Sequence, residues 1–204
     1  MLILHHMQDS GNCYKLRLLM AQLGVPFRTV DVDILTGESR SPGFLAKNPN
    51  GRVPLLELGD GRYLPESNAG MFYLSENSAY LPGDRFQRAQ VLQWMFFEQY
   101  SHEPYIAVAR YWWRIKPGGR EEKRDRFPEW HARGYQAIAV MEQHLANNPF
   151  FVGGQYSIAD IALYAYTHIA DEGGLDITGY PSVRAWLARV AAQKGHVPIG
   201  WRPQ

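Results

Sequence analysis

The first part of the chain alternates between strand-like and helix-like hydrophobic patterns. Short apolar runs at positions 2–6 and 27–32 have the length of strands, and the apolar residues between them recur at helical spacing. These helical positions are Leu16, Leu19, Met20 and Leu23. Gly24 and Pro26 end the helical pattern. The order predicted for this segment is therefore strand, helix, strand.

Two further apolar runs, at positions 55–58 and 63–64, flank the turn residues Gly59–Gly61 and predict a β-hairpin. Pro54 belongs at the first position of its strand, because proline cannot donate to a sheet ladder. A Val-Pro bond at this place is expected to be cis. A cis bond leaves the N–H and C=O of Val53 facing away from the sheet, where an extended peptide can pair with them.

Glu66 and Ser67 follow the hairpin and open a helix predicted from Asn68 to about Glu76. The backbone N–H groups at the start of a helix, together with a hydroxyl, can hold a small carboxylate. A peptide-binding edge beside a carboxylate pocket predicts a site for the tripeptide glutathione.

The pattern changes between Ser78 and Asp84, after which strand signals vanish and the helical segments lengthen. One helix is expected from Arg85 to about Arg114, bent at Pro104. Its common apolar face comprises Ala89, Leu92, Phe96 and Tyr100. Further helices are expected around residues 130–145, 157–172 and 182–193. The predicted fold is an α/β domain at residues 1–77, a linker at 78–84 and an all-helical domain at 85–204.

Several of these motifs occur in the order found in one family. The Val53-Pro54 pair, the Glu66-Ser67 pair, the turn at residues 48–51 and the helix-capping segment at 156–160 resemble those of the glutathione transferases. The resemblance extends over the whole chain and is to soluble bacterial-type members with serine at the catalytic position. It implies a thioredoxin-like N-terminal domain (βαβ-ββα) and an all-helical C-terminal domain.

Composition excludes several other classes. A net charge of +1 over 204 residues argues against nucleic acid or an anionic membrane as the main partner. The single cysteine excludes an internal disulfide framework and a cysteine-rich metal site. Glu98 and His102 lie one helical turn apart and are expected to form a surface contact rather than a metal site. The N-terminus lacks a signal-peptide pattern, so a cytoplasmic protein is expected.

Ser10 and Asn12 stand where the first strand gives way to the first helix. Free thiols such as that of glutathione have a pKa near ~8.5, so only a few per cent is thiolate at neutral pH. The resemblance implies that Ser10 donates a hydrogen bond to the sulfur and that Asn12 donates a second. These donors and the positive helix end are expected to lower the thiol pKa by about one to two units, or roughly 1.4–2.7 kcal/mol. In the alternative interpretation both residues only cap the helix.

Cys13, in the first turn of the same helix, is a second candidate for thiol chemistry. The family alignment puts it at the resolving rather than the attacking position, and buried free cysteines are common core residues. We therefore expect glutathione to bring the reactive thiol.

The same resemblance implies how glutathione is held. Val53 and Pro54 present the backbone. Arg52 can meet the glycyl carboxylate with its two-pronged guanidinium, and a solvated loop charge is its alternative role. Glu66 pairs with the γ-glutamyl ammonium, and Ser67 binds the α-carboxylate. A pocket for an apolar electrophile is expected at Tyr105, Tyr111 and Trp112. Helix–helix core packing is the alternative role of these aromatic residues.

Three function classes follow from this sequence. The first is a transferase that conjugates glutathione to an electrophile, a detoxification reaction that needs glutathione as co-substrate and no metal or other cofactor. The second is a glutathione-dependent disulfide reductase or peroxidase that uses the same site. The third is a non-catalytic binding module with a transferase-like fold. Relatives are two-fold dimers, so we expect a homodimer with contacts from the helix after Glu66 and the helix from Arg85.

Overall fold

The computed structural model describes residues 1–203, whose contacts form two compact units. The first unit comprises residues 1–76 together with the chain from Lys194 onward, and the second comprises residues 77–193. The sequence-based division, with its linker at 78–84, differs from this grouping because it assigns the chain after Lys194 to the C-terminal domain.

Residues 1–76 fold around a four-stranded mixed sheet, as the sequence predicts. Its strands are β1 (Leu2–His6), β2 (Phe27–Asp31), β3 (Leu55–Glu57) and β4 (Tyr63–Pro65), in the order β2-β1-β3-β4. β1 and β2 are parallel because the helix α1 (Gly11–Leu23) connects them as a crossover. β3 runs antiparallel to β1 and to β4. Two shorter helices complete this part, α2 (Pro42–Leu45) and α3 (Ser67–Leu74).

The chain after Lys194 packs onto α1. The Tyr14 hydroxyl donates to the carbonyl of Val197 over 2.6 Å, and Arg17 Nη2 donates to the carbonyl of Ile199 over 2.7 Å. The side-chain amide of Gln8 donates to the same carbonyl over 2.7 Å. Because Arg17 is fully buried, these bonds are shielded from water and attach the end of the chain to the first unit.

The second unit is helical. Its α-helices are α4 (Arg85–Phe97), α5 (Glu103–Arg110), α6 (Gly119–Glu122), α7 (Phe127–Leu145), α8 (Ile158–Thr167) and α9 (Pro181–Ala191). Within the described residues its β-structure is limited to an isolated bridge between Val152 and Gln155. None of the helices in residues 1–203 is long and apolar enough to cross a membrane.

The predicted helix from Arg85 continues through π-helical turns at Glu98–His102 and Tyr111–Ile115. The first turn closes with a bond from the Glu103 N–H to the Glu98 carbonyl, just before Pro104. The wider turn accommodates Pro104, which has no backbone N–H to donate to the preceding turn. The buried side chains of α4 are Val91, Trp94 and Met95. The apolar face identified from the sequence points to solvent instead, with Phe96 68% and Tyr100 84% exposed.

A capping box starts α8, as the spacing of Ser157 and Asp160 predicts. The Asp160 carboxylate accepts from the Ser157 N–H over 2.9 Å and from Trp186 Nε1 over 2.9 Å. Burial raises the pKa of the Asp160 carboxyl to about 6, although hydrogen bonds from Trp186, Ser157 and Phe151 oppose the shift. Asp160 therefore joins the start of α8 to α9 inside the second unit.

Candidate active site

Ser10 lies between β1 and α1 and caps the helix. Its backbone is extended (φ −78°, ψ 123°), and its Oγ accepts a 3.3 Å hydrogen bond from the Cys13 N–H. Capping uses a lone pair of the hydroxyl oxygen, so the hydroxyl proton can still be donated. The two roles expected of Ser10, helix cap and thiol donor, are therefore compatible.

Cys13 points into the core and has no exposed surface. Its Sγ lies 3.4 Å from the backbone N–H of Met7. Burial raises the pKa of the thiol, and the hydrogen bonds from Ser10 and Met7 and the charges of Arg17 and Lys15 oppose that shift only in part. A nucleophilic cysteine needs a thiolate and an open path to its substrate, and this environment opposes both.

The Val53–Pro54 peptide bond is cis, as the sequence predicts. Asn48, which is buried, holds the preceding turn, and its Nδ2 donates to the Arg52 carbonyl over 2.8 Å. Within residues 1–203 the backbone of Val53 makes no hydrogen bond to another backbone group. The main chain at Val53 can therefore pair with an extended ligand.

The pairing of β3 with β4 brings Val53 and Ser67 to the same end of the hairpin. Leu55 is opposite Pro65 at the end of the antiparallel ladder, and Val53 and Ser67 each lie two residues beyond that end. Glu66, just before Ser67, has φ +71°, a left-handed conformation that is uncommon for residues other than glycine. This turn of the backbone starts α3 directly after β4.

Asn12 and Ser67 are in direct contact although they belong to different helices. The Ser67 hydroxyl donates to Asn12 Oδ1 over 3.2 Å. Ser67 is the first residue of α3, a helix that has no side-chain cap and no acidic residue in its first turn. The positive end of α3 therefore adjoins the start of α1, where Ser10 lies.

Arg52, just before Val53, and Glu66, just before Ser67, are both exposed. The Glu66 carboxylate accepts a 3.4 Å hydrogen bond from Asn50 Nδ2. The backbone N–H of Asn50 also donates to Asn48 Oδ1 over 3.1 Å, so the turn before the cis bond is tied to Glu66. The roles of Arg52 and Glu66 in binding glutathione stay predictions.

The sequence reasoning missed Lys15, which contacts the same group of residues. Its Nζ lies 3.4 Å from Ser67 Oγ and 3.3 Å from Asn68 Oδ1, and its side chain has no exposed surface. One signal was available, since Lys15 and Arg17 interrupt the apolar run of α1 next to Leu16.

The aromatic residues expected around a second substrate occupy two different places in the second unit. The rings of Tyr111 and Trp112 touch edge to face, with centroids 5.3 Å apart, and Lys123 Nζ lies 4.7 Å from the centre of the Trp112 ring. Tyr105 lines a cavity of about 580 Å³ together with Tyr100 and Val140. A single pocket for all three residues stays a prediction.

The described residues contain no cluster of three or more His, Cys, Asp or Glu side chains suited to a metal ion. The surface contact expected between Glu98 and His102 is wrong, since both side chains are buried. His102 Nε2 lies 2.8 Å from Thr167 Oγ1, and Glu98 Oε2 accepts a 2.8 Å bond from Gln99. Packing against α8 excludes water from a pair that its local spacing alone would leave at the surface.

Comparison with known proteins agrees with this geometry. Among solved structures, a possible glutathione S-transferase from Rhodopseudomonas palustris is 51% identical, covers 100% of this chain and 91% of its own, and superposes with a TM-score of 0.97. A glutathione S-transferase from Pseudomonas fluorescens is 52% identical, with coverage of 97% and 98% and a TM-score of 0.94. The curated disulfide-bond oxidoreductase YfcG of Escherichia coli is 27% identical over 191 residues, which is 90% of this chain and 87% of the relative.

The family models match both parts of the chain. Residues 1–76 match the N-terminal domain of glutathione S-transferases, and residues 124–189 match their C-terminal domain. These matches agree with a mixed-sheet unit that carries the Val53–Pro54 and Glu66–Ser67 motifs and with an all-helical second unit. The chain belongs to the glutathione S-transferase family.

Proposed function

We propose that this protein is a glutathione transferase that activates the thiol of glutathione for attack on an electrophilic, largely apolar substrate. The contact between Ser67 and Asn12 carries the proposal, because it joins a carboxylate-binding helix end to the residues that would stabilise a thiolate. Val53 supplies backbone pairing, Glu66 and Arg52 meet the charged ends of the tripeptide, and Ser67 holds the α-carboxylate.

In this mechanism Ser10 and Asn12 donate hydrogen bonds to the sulfur and favour its ionised form. The thiolate attacks the electrophile, and the charge passes to the leaving group or to the acceptor carbon. Tyr105, Tyr111 and Trp112 offer apolar surface for that substrate. A reducing compartment such as the cytoplasm belongs to the proposal, since glutathione must be present as a thiol.

Reduction of small disulfides or peroxides at the same site is the second candidate. The similarity to a disulfide-bond oxidoreductase favours it. The burial of Cys13 means that glutathione would supply every reacting thiol. A non-catalytic binding module would need the tripeptide-holding residues but not the donors to sulfur.

A homodimer is also part of the proposal. Phe96 and Tyr100 on the helical run from Arg85 and Tyr73 on α3 are large apolar side chains with 68%, 84% and 49% of their surface exposed. Covering such side chains with a second copy would remove them from water.

The test has two steps. The first is retention of the purified protein on immobilised glutathione with elution by free glutathione. The second is an assay of the eluted protein with a panel of electrophiles, small disulfides and peroxides. We expect retention and conjugation. Turnover of disulfides or peroxides alone favours the second candidate, and retention without turnover favours the binding module.

A further inference from the structure

Lys15 is a buried lysine of α1 whose side chain contacts the start of α3. It lies in the second turn of α1 and has no exposed surface, and its Nζ is 3.4 Å from Ser67 Oγ and 3.3 Å from Asn68 Oδ1. Ser67 and Asn68 are the first two residues of α3. The ammonium therefore lies against the first turn of α3.

This position runs against the usual electrostatics of a helix. The N-terminus of a helix carries a partial positive charge, so cations are favourable at the other end. The first turn of α3 has neither an acidic residue nor a side-chain cap, and the Glu66 carboxylate before it is exposed and bonded to Asn50. Lys15 adds a second positive charge at the same end.

An aliphatic side chain would fill the position of Lys15 without the cost of burying a charge. Its neighbours Leu16, Leu18 and Leu19 are buried in the same core. An anion at the first turn of α3 would be attracted both by the helix end and by the ammonium. The arrangement thus raises the free energy of the empty site and lowers that of the occupied one.

We propose that Lys15 is a positioning residue for the α-carboxylate of the γ-glutamyl group of glutathione. Its charge attracts the carboxylate to α3, and its hydrogen bonds hold Ser67 and Asn68 beneath the ligand. The inference rests on the proposed function, which assigns that carboxylate to Ser67. The hydroxyl of Ser67 continues the network to Asn12, so the same lysine also supports the residue proposed to contact sulfur.

The experiment measures whether the contribution of Lys15 to binding affinity requires the α-carboxylate of the ligand. Calorimetry gives the Kd of glutathione and of 4-aminobutyryl-cysteinyl-glycine, which keeps the amine and lacks only the α-carboxylate. The wild-type protein is expected to prefer glutathione. Lys15→Met should weaken glutathione binding by about tenfold or more, because a charge pair at ~5 Å in a partly buried site is weakly screened. Binding of the analogue should change less than about twofold.

Three further variants separate charge from shape. Lys15→Gln keeps a donor for Ser67 and removes the charge, so it should lose the preference as Lys15→Met does. Lys15→Arg keeps the charge and should retain most of the preference. Lys194→Met removes one positive charge from an exposed position of the same unit and should leave both Kd values unchanged. Circular dichroism checks that each variant is folded.

Equal weakening of both ligands by Lys15→Met and Lys15→Gln would overturn the proposal, since it would indicate a purely structural role. Unchanged binding of glutathione would also overturn it. Failure of the wild-type protein to bind glutathione would overturn the proposed function and this inference together. Normal binding without conjugation would affect the proposed function alone.

Discussion

The hydroxyl of Ser67 donates to Oδ1 of Asn12 across 3.2 Å, linking two residues that lie 55 positions apart in the chain. Since the two ends of a side-chain amide diverge, this bond turns the NH2 group of Asn12 away from α3. The end of the Asn12 side chain that faces away from Ser67 is therefore a hydrogen-bond donor. A donor is what a thiolate requires, and the contact makes Asn12 as strong a candidate for sulfur activation as Ser10.

Replacement of the two proposed donors should raise the pKa of the bound thiol. Ser10→Ala and Asn12→Ala should each lower conjugation near neutral pH by roughly tenfold, in line with one pKa unit, with little change in glutathione affinity. The double variant should be slower than either single variant if both donors share the sulfur. The pH–rate profile with one electrophile measures the shift.

Ser41→Ala is the matched control for the capping role of Ser10. Ser41 caps α2 with a bond from the Phe44 N–H of 3.3 Å, the same length as at Ser10. Both alanine variants should lose about 1 kcal/mol of unfolding free energy. Only Ser10→Ala should shift the midpoint of the pH–rate profile. An unchanged midpoint would mean that Ser10 serves only as a helix cap.

Cys13 should take no part in catalysis. Cys13→Ala is expected to leave both conjugation and disulfide reduction within about twofold, because glutathione brings its own thiol. In the folded protein an aromatic disulfide reagent should label Cys13 slowly at neutral pH, and in guanidinium it should label it at once. Loss of disulfide reduction in Cys13→Ala, with Ser10→Ala silent, would mean that the protein works as a monothiol redox enzyme.

Arg17 should be needed to hold the segment ahead of Ser10. Its buried guanidinium donates to the carbonyls of Gln8 and Ile199 over 2.8 and 2.7 Å. Arg17→Met should cost about 3 kcal/mol or more of unfolding free energy, since it leaves buried acceptors without donors. Arg28→Met, at an exposed position of β2, should cost less than about 0.5 kcal/mol.

Denaturant unfolding measures both arginine variants, and hydrogen exchange at residues 8–10 reports on the loop. Faster exchange there is expected in Arg17→Met alone. If Arg17→Met loses stability but exchange at residues 8–10 does not change, the role of Arg17 is limited to attaching the end of the chain to α1.

Asp160 gives a pH dependence of defined sign. Its pKa rises from 3.8 to about 6 on folding, so the folded state binds more protons between these values and the contribution of Asp160 to stability falls as the pH rises. The stability advantage of the wild-type protein over Asp160→Asn should shrink by roughly 2 kcal/mol between pH 4 and pH 7. Unfolding curves at several pH values test this, and an advantage that grows with pH would contradict it.

The exposed apolar residues of the helical run should hold the proposed homodimer together. Light scattering should give about twice the 23.3 kDa mass of one chain. The double variant Phe96→Glu with Tyr100→Glu should give the mass of one chain at micromolar concentration, because burying carboxylates is costly. Val30→Glu, at an exposed apolar position of β2, should leave the mass unchanged. A wild-type protein with the mass of one chain would rule the dimer out.

Features that depend only on residues close together in the chain could be predicted from the sequence alone. The alternation of strand and helix periods, the hairpin turn at Gly59–Gly61, the cis bond before Pro54 and the capping box at Ser157 all follow from local backbone and side-chain chemistry. The order of the motifs was sufficient to identify the family, because motif order is read along the chain and requires no knowledge of tertiary contacts.

Only the tertiary structure decided which polar side chains are buried and which of them meet. Lys15 and Glu98 have the residue types of a surface, yet packing against α3 and α8 removes them from water. Conversely, Phe96 and Tyr100 share an apolar stripe that faces outward. The contact between Asn12 and Ser67 joins residues from different elements. Hydrophobic periodicity describes one element at a time, whereas burial depends on what packs against that element.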